Sequence, residues 1–166
     1  MTALPLDIRL ERPDDAAAIE RLHARAFGPG RFARTAYRLR EGAHLVPELC
    51  FTALVGTYLV GSIRFSLAEA AGHPLLALGP LTVDPSFSNR GIGCSLMNAG
   101  VDAARAGSHK LVVLVGDLPY YRRFGFSAVP MGRLVLPGPV DPARFLWLAL
   151  TDGGADGVSG AISRAR

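Results

Sequence analysis

Lysine and cysteine are nearly missing from this chain. Of its 18 basic residues only Lys110 is a lysine, and its only two cysteines are Cys50 and Cys94. Two cysteines make no disulfide framework, and neither stands at a metal-ligand spacing. No apolar run reaches the ~20 residues of a membrane-spanning helix. The longest charge-free stretch near the middle, Leu49 to Ile63, is 15 residues long and is broken by Gly and Thr. The start, MTALPLDIRLERPDD, has neither a basic region nor an apolar core of an export signal. The expectation is therefore a cytoplasmic protein with reduced thiols. Charged residues are also few, at 19%, against ~25% in ordinary soluble chains. With 49% hydrophobic residues, that balance excludes intrinsic disorder. It is compatible with a homodimer face.

What is there suits one domain of 166 residues, a length that buries about 70% of its unfolded surface. We assign 1–150 to that domain and the Gly-, Ala- and Ser-rich 151–166 to a tail lying loosely over the surface. The formal charge is +4, a surplus that suits an anionic ligand. Nucleic acid is not the expected partner, because neither a base-stacking motif nor a recognition-helix signature is present.

No internal repeat appears. Leu6 to Leu10 alternates as a half-buried strand does. Pro13 and the Asp14-Asp15 pair open a helix whose apolar stripe is Ile19, Leu22 and Ala26, ended by Gly28-Pro29-Gly30. A second helix follows, with Phe32, Ala36 and Leu39 on one face and Arg31, Arg34 and Arg38 on another. Phe51 to Val55 and Tyr58 to Ser66 read as strands joined at Gly56-Thr57. Leu75 to Val83 is a strand that Gly79-Pro80 should bulge or part from a neighbour. A helix runs from about Gly91 to Ala106. Leu111 to Val115 reads as a central strand covered on both faces. Asp117 caps a short helix through Phe124, stopped by Gly125, and Phe145 to Leu150 is a late strand. This order reads as α/β or α+β with one large, partly antiparallel sheet.

The informative segment runs from Leu78 to Leu96: a strand, a turn holding Gly91 and Gly93, and a helix start. The unpartnered first-turn N–H groups and the helix dipole form an anion cradle suited to a pyrophosphate. A glycine-softened turn that binds nothing has the same sequence. A dinucleotide fingerprint fits worse, since Leu96 stands where its third Gly belongs, and no phosphate-loop Gly-Lys-Ser/Thr exists.

This segment resembles the coenzyme A-binding motif of the GNAT N-acetyltransferases, Gln/Arg-x-x-Gly-x-Gly/Ala preceded by Leu-x-Val-x-Pro. Here it reads Ser88-Asn-Arg-Gly-Ile-Gly93 after Leu81-Thr-Val-Asp-Pro85. Ser88 departs from the Gln/Arg position, which leaves that side-chain contact open while the cradle itself is backbone. Gly116-Asp-Leu-Pro-Tyr-Tyr-Arg-Arg-Phe-Gly-Phe126 is similar to the family's Phe/Tyr-Tyr-x-x-x-Gly-Phe segment. The Gly-Asp opening and Gly157-Val-Ser-Gly160 resemble the YhbS-like bacterial branch. The likeness spans Leu6 to Leu150 in element order.

The resemblance implies a single mixed, mostly antiparallel sheet with helices on both faces and a splayed central strand pair. It implies an acetyl-CoA-dependent N-acyltransferase, with acetyl-CoA as cosubstrate, an amine as acceptor and no metal. Pantetheine would pair with the backbone of Leu81, Thr82 and Val83. The pyrophosphate would meet Ser88, Asn89, Arg90, Gly91, Ile92, Gly93 and Cys94. Val83 N–H becomes the candidate oxyanion donor. Tyr121 matches the tyrosine that protonates the departing thiolate, and a phenol of pKa ~10 suits a thiolate of pKa ~8.5. The alternative is that Tyr121 only packs on the pantetheine. Tyr120 and Phe124 complete the coenzyme set, although Phe124, like Phe126, also reads as core.

A general base is harder to place. Leu111 to Val115 has no acid, Asp84 shapes a turn, Asp117 caps a helix, and Glu69 or His73 would act through water. The four histidines, His23, His44, His73 and His109, are scattered and read as ordinary surface or core residues. By the resemblance Cys94 falls at the pyrophosphate end, far from the thioester, which argues against a covalent acetyl-cysteine. The Arg-rich region from Arg21 to Arg40 is either a solvated face or a border favouring an acceptor with nearby negative charge. The rival reading is a non-catalytic acyl-CoA-binding regulatory domain.

Overall fold

The computed structural model describes residues 5–33 and 35–165, without the side chains of Phe32, Ala33 and Ala36. In chain order it contains β1 (Leu6–Leu10), α1 (Ala16–Phe27), α2 (Thr35–Arg40), β2 (Phe51–Val55), β3 (Tyr58–Ala70) and β4 (His73–Val83). There follow α3 (Ile92–Ala106), β5 (Leu111–Val115), α4 (Leu118–Tyr121), β6 (Ser127–Ala128), β7 (Leu134–Val135), β8 (Phe145–Ala149) and β9 (Gly160–Arg164).

The sheet runs β1-β2-β3-β4-β5-β8-β6, with β9 joining β3 to β7. Every pairing is antiparallel except β4 with β5 and β7 with β9. Period-two alternation sorts the central strands between two cores. Leu76, Leu78, Val112 and Leu114 join Leu96 and Met97 of α3 in one cluster. Leu75, Ala77, Leu111 and Val113 join Leu39 of α2 in the other. Helices thus cover both faces, and the central strands carry unbroken apolar runs because neither face meets water.

Four expectations need correction. The strand from Tyr58 does not stop at Ser66 but runs on to Ala70. Its alanines, weak strand formers by side chain, hide a stretch that β4 and β9 hold in place. The tail does not lie loosely: Gly160–Arg164 is a strand with Ile162 buried. It covers Ala68–Ala70, where β2 no longer accompanies β3, and so protects an edge that would otherwise stand open. Asp117 stands at the N-cap of α4 but makes no side-chain cap bond. Its carboxylate lies 3.7 Å from Arg144 instead. The second helix is the short α2, behind a 3-10 turn at Pro29–Ala33 that carries Arg31. The side chains expected of Phe32, Arg34 and Ala36 lie outside the described residues.

Candidate active site

The site begins where β4 and β5 part. They pair only at Leu76–Val112 and Ala77–Val113, after which β4 continues on β3 while β5 follows β8. The register from Phe65–Leu78 to Ile63–Leu81 leaves Gly79 and Pro80 opposite the single Arg64. This is a bulge on β4, at the position where Pro80 has no N–H to give a neighbour. Beyond it the ladder alternates. Asp84 N–H donates to Val60 carbonyl at 2.8 Å, so Ser62–Thr82 is the next hydrogen-bonded pair. The N–H groups of Leu81 and Val83 therefore face away from β3, into the gap. Thr82 is turned the other way: its N–H belongs to β3, and its buried hydroxyl joins Ser62 and Thr52 in a cross-strand row. It offers the gap nothing.

At the far end of β4 lies the glycine turn. Gly91, with φ 78°, is the N-cap of α3 and has open space around it, a conformation that favours glycine. The N–H groups of Ile92, Gly93 and Cys94 precede the first intrahelical donor, Ser95, which gives its N–H to Gly91 at 3.0 Å. A Cβ on Gly93 would stand 2.7 Å from the Tyr120 hydroxyl and 3.7 Å from Val83 Cγ2. Tyr120 and Val83 therefore flank the anion end. The side chains around them have other occupations. Ser88 hydroxyl donates to Pro85 carbonyl at 3.0 Å, the Arg90 guanidinium lies 5.4 Å over Phe87, and Ile92 is buried in the core. Burial, and then the neighbouring Cys94, raise the Tyr120 phenol.

Tyr121 forms the other wall. Asp117 carbonyl accepts the N–H groups of Tyr120 and Tyr121 at 3.1 and 3.0 Å, closing one helical turn. The Tyr121 ring lies on the Gly116 backbone, edge-on to Tyr120 at 4.9 Å and to Phe126 at 5.9 Å. Burial, reinforced by Tyr120 and Asp117 and opposed by Arg144 and Arg40, pushes its pKa up to about 12. The phenol holds its proton. Phe124 packs on Tyr120 at 5.7 Å and against the core, and it does not line the cavity described next.

Between the parted strands and the α1–α2 segment is a cavity of about 580 Å³. Leu78 to Leu81, Leu114 to Asp117, Tyr120 and Tyr121 form its strand side. Glu20, His23, Arg31, Arg40 and Glu41 form its helix side, with Arg64 and Arg144 between. Neither Glu69 nor His73 is among the lining residues. Both sit at the β3–β4 hairpin, and His73 lies six residues from Gly79, roughly 20 Å along an extended strand. Asp84 is also outside the cavity. Burial raises its carboxyl, but Ser86 N–H, Tyr58 hydroxyl and Arg25, 3.2 Å away, together hold it below the usual range. It shapes the turn, as expected, and in doing so removes Arg25 from the pool of free cations.

Of the cavity's helix-side groups, Arg31 and Arg40 belong to the Arg-rich region read as a solvated face or an acceptor border, whereas Glu20 and Glu41 are what sequence reasoning missed. His23 takes the core alternative expected of it, buried in α1, with Nε2 unpartnered. Burial and then Arg64 push its pKa down to about 4, so its imidazole is neutral. Glu20 pairs with Arg31 at 2.9 Å, a bond that lowers its pKa. No local spacing announces these contacts, which join α1 to β3 and to the 3-10 turn at Pro29–Ala33.

A parallel strand pair that parts at a bulge, beside a glycine-opened helix and a half-buried phenol, is the arrangement that the resemblance implied. The chain belongs to the GNAT acetyltransferase family, which its residues 16–126 match. It is 31% identical over 157 residues to the uncharacterized N-acetyltransferase YhbS of Escherichia coli K12, spanning 93% of each chain. It is 31% identical over 131 residues to the uncharacterized N-acetyltransferase YjhQ of the same organism, spanning 76% of this chain and 72% of that one. A crystal structure of Escherichia coli YhbS in complex with CoA matches with a TM-score of 0.83 at 28% identity, over 99% of this chain and 92% of that one. A GNAT acetyltransferase from Brucella melitensis in complex with acetyl-CoA matches with a TM-score of 0.74 at 29% identity, over 98% and 97%. No described helix is long and apolar enough to cross a membrane.

Proposed function

We propose that this protein transfers an acetyl group from acetyl-CoA to a primary amine by direct attack within a ternary complex. The observation that carries the reading is that one cavity is lined both by Leu81, whose N–H has no partner on β3, and by a phenol that keeps its proton. The coenzyme fits on three counts. The outward N–H of Val83 suits a pantetheine amide, and that of Leu81 is left for the thioester carbonyl. The bare first turn of α3, with Gly91 and Gly93, suits the pyrophosphate. The two liganded relatives share this fold over nearly their whole length.

Acetyl-CoA supplies an activated acyl group, and the chain supplies position and charge control. The amine nitrogen attacks the thioester carbonyl, an N–C bond forms, and the C–S bond breaks. Negative charge first gathers on the carbonyl oxygen. Leu81 N–H is the better donor to it, because Leu81 lines the cavity with Tyr121 whereas Val83 stands beside Gly93 at the anion end. The sulfur then leaves as a thiolate and takes the Tyr121 proton, which the phenol recovers from solvent. The amine's extra proton leaves through the cavity's water-facing side, where Glu20 and Glu41 stand.

Free thiol release, followed with acetyl-CoA and a panel of primary amines, tests this. Tyr121→Phe keeps the ring and its packing but removes the proton. Turnover should fall about 10²–10⁴-fold, with coenzyme affinity little changed. Undiminished turnover under conditions where chemistry limits the rate would reduce Tyr121 to a packing residue. If acetyl-CoA binds and every amine fails, the protein is an acyl-CoA-binding regulatory domain instead.

A further inference from the structure

Four guanidinium groups line the cavity, and three have carboxylate partners. Arg31 pairs with Glu20 at 2.9 Å, Arg64 with Glu11 at 2.9 Å, and Arg144 lies 3.7 Å from Asp117. The fourth, Arg40, has no carboxylate partner among the described residues. It closes α2 and lays its guanidinium against Gly79 at the β4 bulge, where a Cβ would stand 2.6 Å from Nη1. Its electrostatic neighbours are the phenols of Tyr37 and Tyr121. Burial lowers its pKa to about 10, the mark of a cation short of compensating negative charge. A desolvated guanidinium is stabilised by a planar anion that accepts two of its N–H groups.

The coenzyme's own phosphates do not meet this need. They belong at the α3 end, beside Val83, which is four residues, or about 13 Å, along β4 from Gly79. Arg40 stands in the other part of the cavity, near the Tyr121 phenol and the α1–α2 wall. We propose that Arg40 reads a carboxylate on the acceptor, so that the amine acetylated here belongs to a small amino carboxylate, an amino acid or a close analogue. The inference rests on the acetyltransferase reading above. Arg40 sets specificity by fixing the acceptor's carboxylate at Gly79 and swinging its amine toward the thioester. A cavity of about 580 Å³ lies within the ~300–1,000 Å³ typical of small-molecule sites.

The test compares free amino acids with their carboxamides as acceptors, at equal concentrations of neutral amine. Parent protein, Arg40→Gln and Arg40→Lys are each measured by thiol release. The stabilisation of each by acetyl-CoA in a melting experiment serves as the control for a folded, intact coenzyme cleft. A hydrogen bond to a charged group is worth ~1.5–3 kcal/mol, so the parent should favour the carboxylate by about 10–100-fold in kcat/KM. That ratio should collapse toward unity in Arg40→Gln. Arg40→Lys should keep part of it, since an ammonium retains the charge but not the fork. A parent without carboxylate preference, a preference that survives Arg40→Gln, or turnover of other amines with every amino acid rejected would each overturn the proposal. Each would leave the acetyltransferase reading standing. Failure of acetyl-CoA to stabilise the parent would instead overturn the reading beneath it.

Discussion

The two ends of the cleft are made differently. The end we assign to the coenzyme is backbone from one stretch of chain: the outward N–H groups of Leu81 and Val83, the turn at Gly91, and the first N–H groups of α3, with Val83 and Tyr120 beside Gly93. The end we assign to the acceptor is side chains from distant elements: Glu20 and His23 of α1, Arg40 of α2, Arg64 of β3 and Arg144 before β8. Backbone donors recognise any ligand of suitable charge and are indifferent to most substitutions. Side chains carry particular charges and can be exchanged one at a time. Such a division lets one scaffold keep a constant donor while its acceptor changes, since specificity is a difference of affinities set by a few groups. It also predicts that the two ends fail separately.

The largest effect belongs to the acceptor end and concerns stability. His23 is buried, and its folded pKa of about 4 lies below the unfolded value of 6.5. Between those values the unfolded chain binds a proton that the folded chain refuses, so stability falls as pH drops. The loss should total about 3 kcal/mol by pH 4, of which about 2 kcal/mol arrives between pH 7 and pH 5. The carboxylates of Asp15, Glu20 and Asp84, all depressed, lose their contribution only below their unfolded values near 4, so the upper window belongs to His23. Urea unfolding at pH 7 and pH 5 checks this, and His23→Leu should remove most of the difference. An equal pH slope in that variant would show that His23 is not the group responsible.

The next effect belongs to the coenzyme end. Gly93→Val places branched atoms where the Tyr120 hydroxyl and Val83 already stand, closing the first turn of α3 to an approaching anion. Coenzyme affinity by calorimetry should fall about 10–100-fold, the worth of one or two charge-assisted hydrogen bonds. The melting temperature of the free protein should change little, because glycine is itself a poor helix residue. Affinity equal to that of the parent would place the anion site elsewhere.

The same division explains what could be read in advance. The strand-turn-helix from Leu75 to Ala106 was legible because hydrophobic period, two glycines and a proline punctuate a continuous stretch. The break between β4 and β5 was foreshadowed by Gly79-Pro80, since a proline withholds a ladder donor wherever it falls. The direction of Leu81 and Val83 relative to Thr82 was not legible. It depends on a register fixed by β3, and one residue of slip would reverse it. Arg40 passed as one member of an Arg-rich helical pair, since nothing local distinguishes it from Arg31 or Arg25. Only tertiary packing supplies Glu20 to Arg31 and Asp84 to Arg25, leaving Arg40 without either. The strand at Gly160–Arg164 was hidden because its single buried anchor, Ile162, stands among Gly, Ala and Ser.

The claim on which the rest depends is that the gap between β4 and β5, with the α3 N-terminus at its end, is a coenzyme A site. Thermal unfolding with and without ligand tests it directly. At one hundred times its dissociation constant acetyl-CoA should add about 2.7 kcal/mol, raising the melting temperature by about 5–10 °C for a chain of this size. NAD and ATP at the same concentration should leave it unchanged. No shift with millimolar acetyl-CoA, or an equal shift with NAD, would contradict the account.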